Sequence, residues 1–188
     1  FVASVVTGVV SLSKTLEDGR IQTVGLLLAS DFIGRPERVA IDFDVTATTD
    51  VVLCCFSRSN FKALLDRTPH LAHRLLEMTL DELDAARDWM LLLGRKTARE
   101  RLASFFELLA LRAQPALDVG VNRQIELPLS REETANYLGL TLETVSRQLS
   151  QLKAQGILEF HDRRHFSVLD RAKLQAATGS HEKNDPPV

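Results

Sequence analysis

Cysteine is nearly absent: the 188-residue chain has two, Cys54 and Cys55, and they are neighbours. Adjacent cysteines rarely bridge each other, which excludes a disulfide framework. No apolar run reaches the roughly 18–20 residues needed to cross a bilayer, so no membrane-spanning helix is expected. No charged segment precedes an apolar core at the start, so no secretory pattern is read there. A strong charge of either sign is missing too. The net charge is −2, from 23 basic and 25 acidic residues, so any basic surface that attracts nucleic acid must be local. There is no initiator methionine; the chain opens on Phe1 directly in strand-like sequence, and a region upstream is expected. What remains has the composition of an ordinary cytosolic protein, and a cytoplasmic location is expected. The length suffices for one large domain or two small ones.

The first 60 or so residues alternate apolar and polar in the manner of strands. Phe1 to Thr7 ends at Gly8. Val9 to Lys14 leads into Glu17-Asp18-Gly19-Arg20, and Ile21 to Leu28 returns. Asp-Gly between two strand-like runs predicts a hairpin closed by a type I′ turn. Asp31-Phe32-Ile33-Gly34-Arg35-Pro36 is a turn-rich corner, and Phe43–Thr49 and Val51–Phe56 are two further strands. A run of antiparallel hairpins of this kind suits a small jelly roll.

The period then changes from two to that of a helix. Ser59 or Asn60 is a candidate cap for a short helix that ends near Pro69. A long helix follows from His70. Leu76, Thr79, Leu83, Ala86, Met90 and Leu93 recur at spacings of three and four, as residues do where one helix packs along another. The same stripe would also serve a helix that faces its own core. Thr97 to Arg112 reads as another helix, residues 113–126 as a loop, and the polar residues 178–188 as a flexible tail.

Residues 129–169 carry the chemistry. Ser130 and Glu133 form a capping box in front of a short helix, Glu132 to Leu138. Gly139 breaks that helix at a tight turn, and Leu140 plugs the corner. Thr141 caps a second helix, Leu142 to Gln155, whose Leu142, Val145, Leu149 and Leu152 form an inward stripe. Its other face offers Glu143, Thr144, Ser146, Arg147, Gln148 and Ser150. Two helices joined in this way place the second in the major groove of DNA. There Arg147 can grip a guanine through two hydrogen bonds, Glu143 can accept from the amino group of cytosine, and Ser146, Thr144 and Thr141 can reach bases or phosphates. Ile157 to His161 and His165 to Leu169 alternate around Asp162-Arg163-Arg164. This predicts a wing whose tip arginines, Arg163 and Arg164, suit phosphate contact.

These residues resemble the winged helix of the cyclic-AMP receptor/fumarate-nitrate reduction (CRP/FNR) regulator superfamily. Glu143-Thr144-Val145-Ser146-Arg147 is similar to that superfamily's E-x-x-S-R recognition element, which in the fumarate-nitrate branch is associated with palindromic TTGAT-type sites. The likeness spans nearly the whole chain: Asp88 to Ala103 is similar to that branch's dimer-helix exit, and Val5–Gly8 and Asp31–Gly34 to its β-roll. The fold class implied is α+β: an antiparallel β-roll of the cyclic-nucleotide-binding type over residues 1–69, a dimerisation helix over 70–96 and a winged helix-turn-helix over 97–177. The resemblance makes the chain a regulator and not an enzyme, with duplex DNA, a second copy of itself and RNA polymerase as partners. Loops around Asp18-Gly19 and Arg35-Pro36 are candidate polymerase contacts.

The cyclic-nucleotide branch carries G-E-L and an R-S or R-T pair for the phosphate. Here Gly34-Arg35-Pro36 lacks the glutamate, and Ile41, Asp42 and Phe43 stand where the pair would fall, so no cyclic nucleotide is expected. The oxygen-sensing branch holds a [4Fe-4S] cluster through three N-terminal cysteines and one at the end of the roll. Cys54 falls at that last position, with Cys55 the lesser candidate, and control of genes for low-oxygen metabolism is implied. The other reading makes the two cysteines small buried hydrophobes in a clusterless regulator that answers another signal or is always dimeric. In the oxygen-sensing branch an acidic residue on the dimer seam can keep the cluster-free protein monomeric. Ala86 takes that position here, which implies a dimer less dependent on a cluster. A jelly-roll metalloenzyme needs histidines within the roll, and His70, His73, His161, His165 and His181 all lie outside it.

Overall fold

The computed structural model describes residues 1–34, 42–112 and 124–179. It divides into two compact units, Phe1–Met90 and Leu91–Val188. The dividing point lies inside a helix that runs from Pro69 to Arg95. Among the described residues no helix is long and apolar enough to cross a membrane.

The first unit opens with six strands: β1 (Val2–Thr7), β2 (Val10–Thr15), β3 (Ile21–Leu27), β4 (Phe32–Ile33), β5 (Asp44–Ala47) and β6 (Val52–Phe56). They form two antiparallel three-stranded sheets, ordered β4-β1-β6 and β3-β2-β5. Ala3, Val5, Val10, Leu27 and Ile33 make the core, with Leu12 and Val51 packed on it. The β2–β3 hairpin is present, but its turn is not type I′. Leu16 N–H donates to Arg20 O and Gly19 N–H to Leu16 O, and Gly19 alone in the loop has a positive φ, of 85°. Asp18 stays out of the left-handed region because its carboxylate accepts from the Arg20 backbone N–H at 3.1 Å and from Arg20 Nε at 2.8 Å. Arg35, Pro36 and Ile41 lie outside the described residues.

Helix α1 (Arg58–Arg67) is capped by Ser57, not by Ser59 or Asn60; the Ser57 hydroxyl accepts from the Asn60 N–H at 3.2 Å. Phe61, buried, meets the rings of Phe32 and Phe56 at 5.9 and 5.8 Å and ties α1 to the sheet. Helix α2 runs from Pro69 to Arg95. Leu76, Thr79, Leu83, Ala86 and Met90 are all exposed along it, Met90 to 73%. Leu80 and Leu91, which the seam pattern did not include, are exposed as well. Thr79 donates its hydroxyl to Leu75 O at 2.8 Å, which leaves its methyl to an otherwise apolar stripe. Leu93 differs from the others in being half-buried.

The second unit is built on α3 (Ala98–Arg112), followed by β7 (Ile125–Glu126), α4 (Arg131–Leu138), α5 (Leu142–Ala154), β8 (Leu158–Phe160), β9 (His165–Val168) and α6 (Arg171–Ala177). A ring cluster fills its centre. Phe106 meets Phe166 edge-on at 4.8 Å and Phe160 at 5.9 Å, and Phe105 meets Tyr137 at 5.6 Å. Such pairs add about 0.5–1.5 kcal/mol each beyond the burial of their area. Leu102, Leu138, Leu152, Leu158 and Leu174 close the core around them. The strands form an antiparallel sheet ordered β7-β9-β8. The sequence reading did not anticipate α6, which Asp170 caps by accepting from the Lys173 N–H at 2.9 Å. Of the expected flexible tail, Thr178 and Gly179 are ordered against α6, and residues 180–188 lie outside the described part.

Candidate nucleic-acid interface

The local chemistry of residues 130–156 produces a helix, a turn and a second helix. The Ser130 hydroxyl accepts from the Glu133 N–H at 3.2 Å, and the Glu133 carboxylate accepts from the Ser130 N–H at 2.7 Å, so two orphan donors at the start of α4 are satisfied reciprocally. Gly139 ends α4 in the left-handed conformation, φ 61° and ψ 42°, and the Leu140 N–H turns back to Ala135 O. The chain is then free to restart. Thr141 caps α5 by accepting from the Thr144 N–H at 3.2 Å.

Val145, Leu149 and Leu152 anchor α5 to the core as the periodicity predicted. Leu142 does not: it is 44% exposed. It stands in the first turn, where no earlier turn covers it, and its apolar side chain lies among the polar groups at the start of α5. An exposed apolar residue there is suited to the methyl group of thymine, a contact the sequence pattern assigned to no residue.

The wet side of α5 is as expected. Thr141, Glu143 and Arg147 are exposed, and Thr144 and Ser146 are half-buried. The Thr141 and Thr144 hydroxyl oxygens lie 3.1 Å apart at the helix start. The Ser146 carbonyl accepts from the Ser150 hydroxyl at 2.9 Å. A bond from its own backbone N–H, then one from Thr141, hold the Glu143 carboxyl below its ordinary pKa. It is therefore a charged acceptor at neutral pH, placed where the positive end of a helix favours an anion. Gln148 is half-buried, and its Oε1 is buried with no hydrogen-bond partner among the described residues.

The wing follows at once. β8 and β9 pair Leu158 with Val168 and Phe160 with Phe166, and the turn between them exposes Arg163 and Arg164. Asp162 organises that turn. It accepts from the Arg164 N–H at 2.6 Å and from His165 Nδ1 at 2.8 Å. The Arg164 N–H, then the His165 ring, lower its pKa. Leu127 N–H donates to Arg164 O at 2.6 Å, which tethers the tip from the β7 side. Two groups of cation are thus displayed differently: Arg147 on a helix that can enter a groove, Arg163 and Arg164 on a hairpin that can touch the backbone beside it.

In the first unit, Cys54 and Cys55 are free and exposed on β6, opposite Ser4 and Ala3. That corrects the reading that made them small buried hydrophobes. Among the described residues no three His, Cys, Asp or Glu side chains gather where they could hold a metal ion.

With this geometry in hand, the chain can be compared with known proteins. The Crp-like helix-turn-helix domain family matches residues 100–177, and the cyclic nucleotide-binding domain family matches residues 1–68. The chain is 56% identical to the transcriptional activator protein FnrL of Cereibacter sphaeroides over 191 residues, which covers 100% of this chain and 77% of FnrL. It is 38% identical to the nitrogen fixation regulation protein FixK of Bradyrhizobium diazoefficiens, over 92% of this chain and 72% of that protein. Among solved structures it is similar to FixK2 from Bradyrhizobium japonicum, with a TM-score of 0.85 and 38% identity over 96% of this chain and 88% of the other. A CooA mutant from Carboxydothermus hydrogenoformans gives a TM-score of 0.76 at 28% identity, over 94% of this chain and 78% of that one.

Proposed function

The chain belongs to the Crp/FNR family of DNA-binding transcription regulators, and from that premise we propose that it reads a twofold-symmetric TTGAT-type operator as a homodimer, one α5 in each half-site. The observation that carries the reading is the phase of α5. Its capped start presents Thr141, Glu143 and Arg147 to solvent while Val145, Leu149 and Leu152 are buried behind them. In this reading Arg147 reads guanine, Glu143 reads cytosine, and Ser146 and Thr144 supply shorter contacts. Arg163 and Arg164 hold phosphates and set the register. The dimer forms along the exposed stripe of α2, which spaces the two α5 helices about one DNA turn apart, roughly 34 Å. A signal at the β-roll that alters this pairing becomes a change in DNA affinity by population shift. Polymerase contact through exposed roll loops such as Asp18-Gly19 belongs to the same reading.

The finer assignment makes oxygen the signal, a [4Fe-4S] cluster the sensor and low-oxygen metabolism the target, with Cys54 as one thiolate ligand. Its exposure on the last strand of the roll supports this, since a ligand must be reachable. Such a cluster takes four ligands. The described residues do not complete that set. No cyclic nucleotide is assigned: by the resemblance, the acidic Asp42 stands where the cyclic-nucleotide branch carries its pair for the phosphate.

Fluorescence anisotropy with a palindromic TTGAT duplex and a scrambled one tests the DNA reading. A preference of about a thousandfold or more for the palindrome is expected; equal affinity for the two would refute it. Iron and labile sulfide analysis of anaerobically prepared protein tests the sensor. Both should be present, lost in Cys54→Ser and kept in Cys55→Ser. A wild-type protein without iron turns the assignment over to the clusterless alternative.

A further inference from the structure

Helix ends leave carbonyls without partners, and two such ends meet in the second unit. α2 stops at Arg95 and α4 at Leu138, so the last carbonyls of each need donors from elsewhere. One side chain supplies them. Arg101, half-buried in the second turn of α3, donates from Nη2 to Leu93 O at 2.7 Å and from Nε to Lys96 O at 3.0 Å. From Nη1 it donates to Leu138 O at 3.1 Å and, more weakly, to Gly139 O at 3.5 Å. A fixed positive charge therefore sits at the negative ends of two helices and holds three chain segments at once. The place it holds is specific. Leu93 closes the stripe that runs from Leu76, and Leu138-Gly139 is the turn from which α5 departs. A Cβ on Gly139 would lie 3.6 Å from Arg101 Nη1 and 3.7 Å from Leu93 Cδ2, so the turn, the arginine and the last turn of α2 are in mutual contact.

We infer that Arg101 is a positioning residue for operator recognition: it fixes the departure angle of α5 to the last turn of α2 and so sets the half-site separation the dimer accepts. The inference rests on the dimeric, palindromic reading above. Its chemistry requires an arginine. The planar fork directs Nε, Nη1 and Nη2 to separate acceptors in fixed directions, whereas a lysine keeps the charge but holds one carbonyl at a time.

The test uses the full-length protein and four duplexes: the palindrome, the palindrome with its spacer one base pair longer or shorter, and a single half-site. One base pair rotates a half-site by roughly 35° about the DNA axis. Wild-type protein should discriminate against the altered spacers by about tenfold or more. In Arg101→Lys, verified as folded and dimeric by thermal melting and sizing, half-site affinity should stay within about twofold while spacer discrimination falls below about threefold, the loss of charge-assisted bonds being large enough for that. Arg101→Gln is measured in parallel in case the lysine variant does not fold. Unchanged discrimination, a uniform loss that includes the half-site, or failure of both variants to fold would overturn the proposal and leave Arg101 a stabilising residue only. A wild-type protein indifferent to spacing, or no tighter on the palindrome than on the half-site, refutes the dimeric reading itself, an outcome visible before any variant is made.

Discussion

Arg147 and Arg163 carry the same charge in the same unit, yet truncating them has different consequences. Arg147→Ala should weaken binding to the palindrome by about 1–3 kcal/mol and relax preference at one guanine, with affinity for scrambled DNA almost unchanged. Arg163→Ala should weaken binding to both duplexes alike and reduce the slope of log affinity against log salt by about 1. Anisotropy titrations at several salt concentrations separate the two; a sequence-specific effect at Arg163 would reverse their roles. Asp162 makes a prediction about acidity. Its folded pKa lies below the ordinary 3.8 because the Arg164 N–H and the His165 ring favour the carboxylate. The bonds it makes thus favour the folded wing at any pH above the ordinary carboxylate value, and that contribution is lost as pH falls through the lowered folded value. The Arg164 amide resonance should hold steady from neutral pH past 3.8 and move only below it, and Asp162→Asn should abolish that step. A transition centred above 3.8 would contradict the assignment. At this scale the exposed face of α5 was legible because three local signals, Ser130, Gly139 and Thr141, fix where α5 starts and therefore which way each side chain points. Leu142 was not legible, since periodicity does not say that no neighbour reaches the first turn of a helix.

Elements whose boundaries are set by contacts close in sequence were read well. The capping box, the Gly139 turn and the Thr141 cap each span three or four residues, and the wing follows from alternation around a polar turn. Elements settled by tertiary contact were not. Helix α6 is seven residues long and depends on burying Leu174; only the Asp170 cap hinted at it. The β2–β3 hairpin was found in the right place with the wrong turn, because Asp-Gly alone does not say that Asp18 will hold Arg20 instead of adopting a positive φ. Gly139→Ala tests the element logic. The space around a Cβ there is ordinary, so the cost is the left-handed backbone alone, about 1–2 kcal/mol. Urea denaturation should show that loss; a neutral effect would mean the turn relaxes and α4 ends differently.

The molecule as a whole is a regulator with an apolar stripe exposed along α2. Leu76, Leu80, Leu83, Met90 and Leu91 are each 46–73% exposed, a stripe that asks for a second copy. Ala86 lies on that stripe, and two alanines pack closely where two carboxylates would repel. Cluster-free protein should therefore still be dimeric at micromolar concentration when sized by light scattering; a clean monomer would refute this. The attachment of the last turn of α2 to the second unit was the feature least visible in the sequence. Helical periodicity runs through residues 90 and 91 without proline or a polar linker, and the attachment shows only in the buried Leu92 and in the Leu93 carbonyl that accepts from Arg101.

That hidden joint constrains how such proteins can be recombined. A graft of a new sensor onto this reading head cannot be cut at the corner after Arg95, because the guanidinium of Arg101 would lose its Leu93 acceptor. The splice has to be made further back, in mid-helix, and kept in phase: one residue too many turns the whole head through about 100° on its shaft.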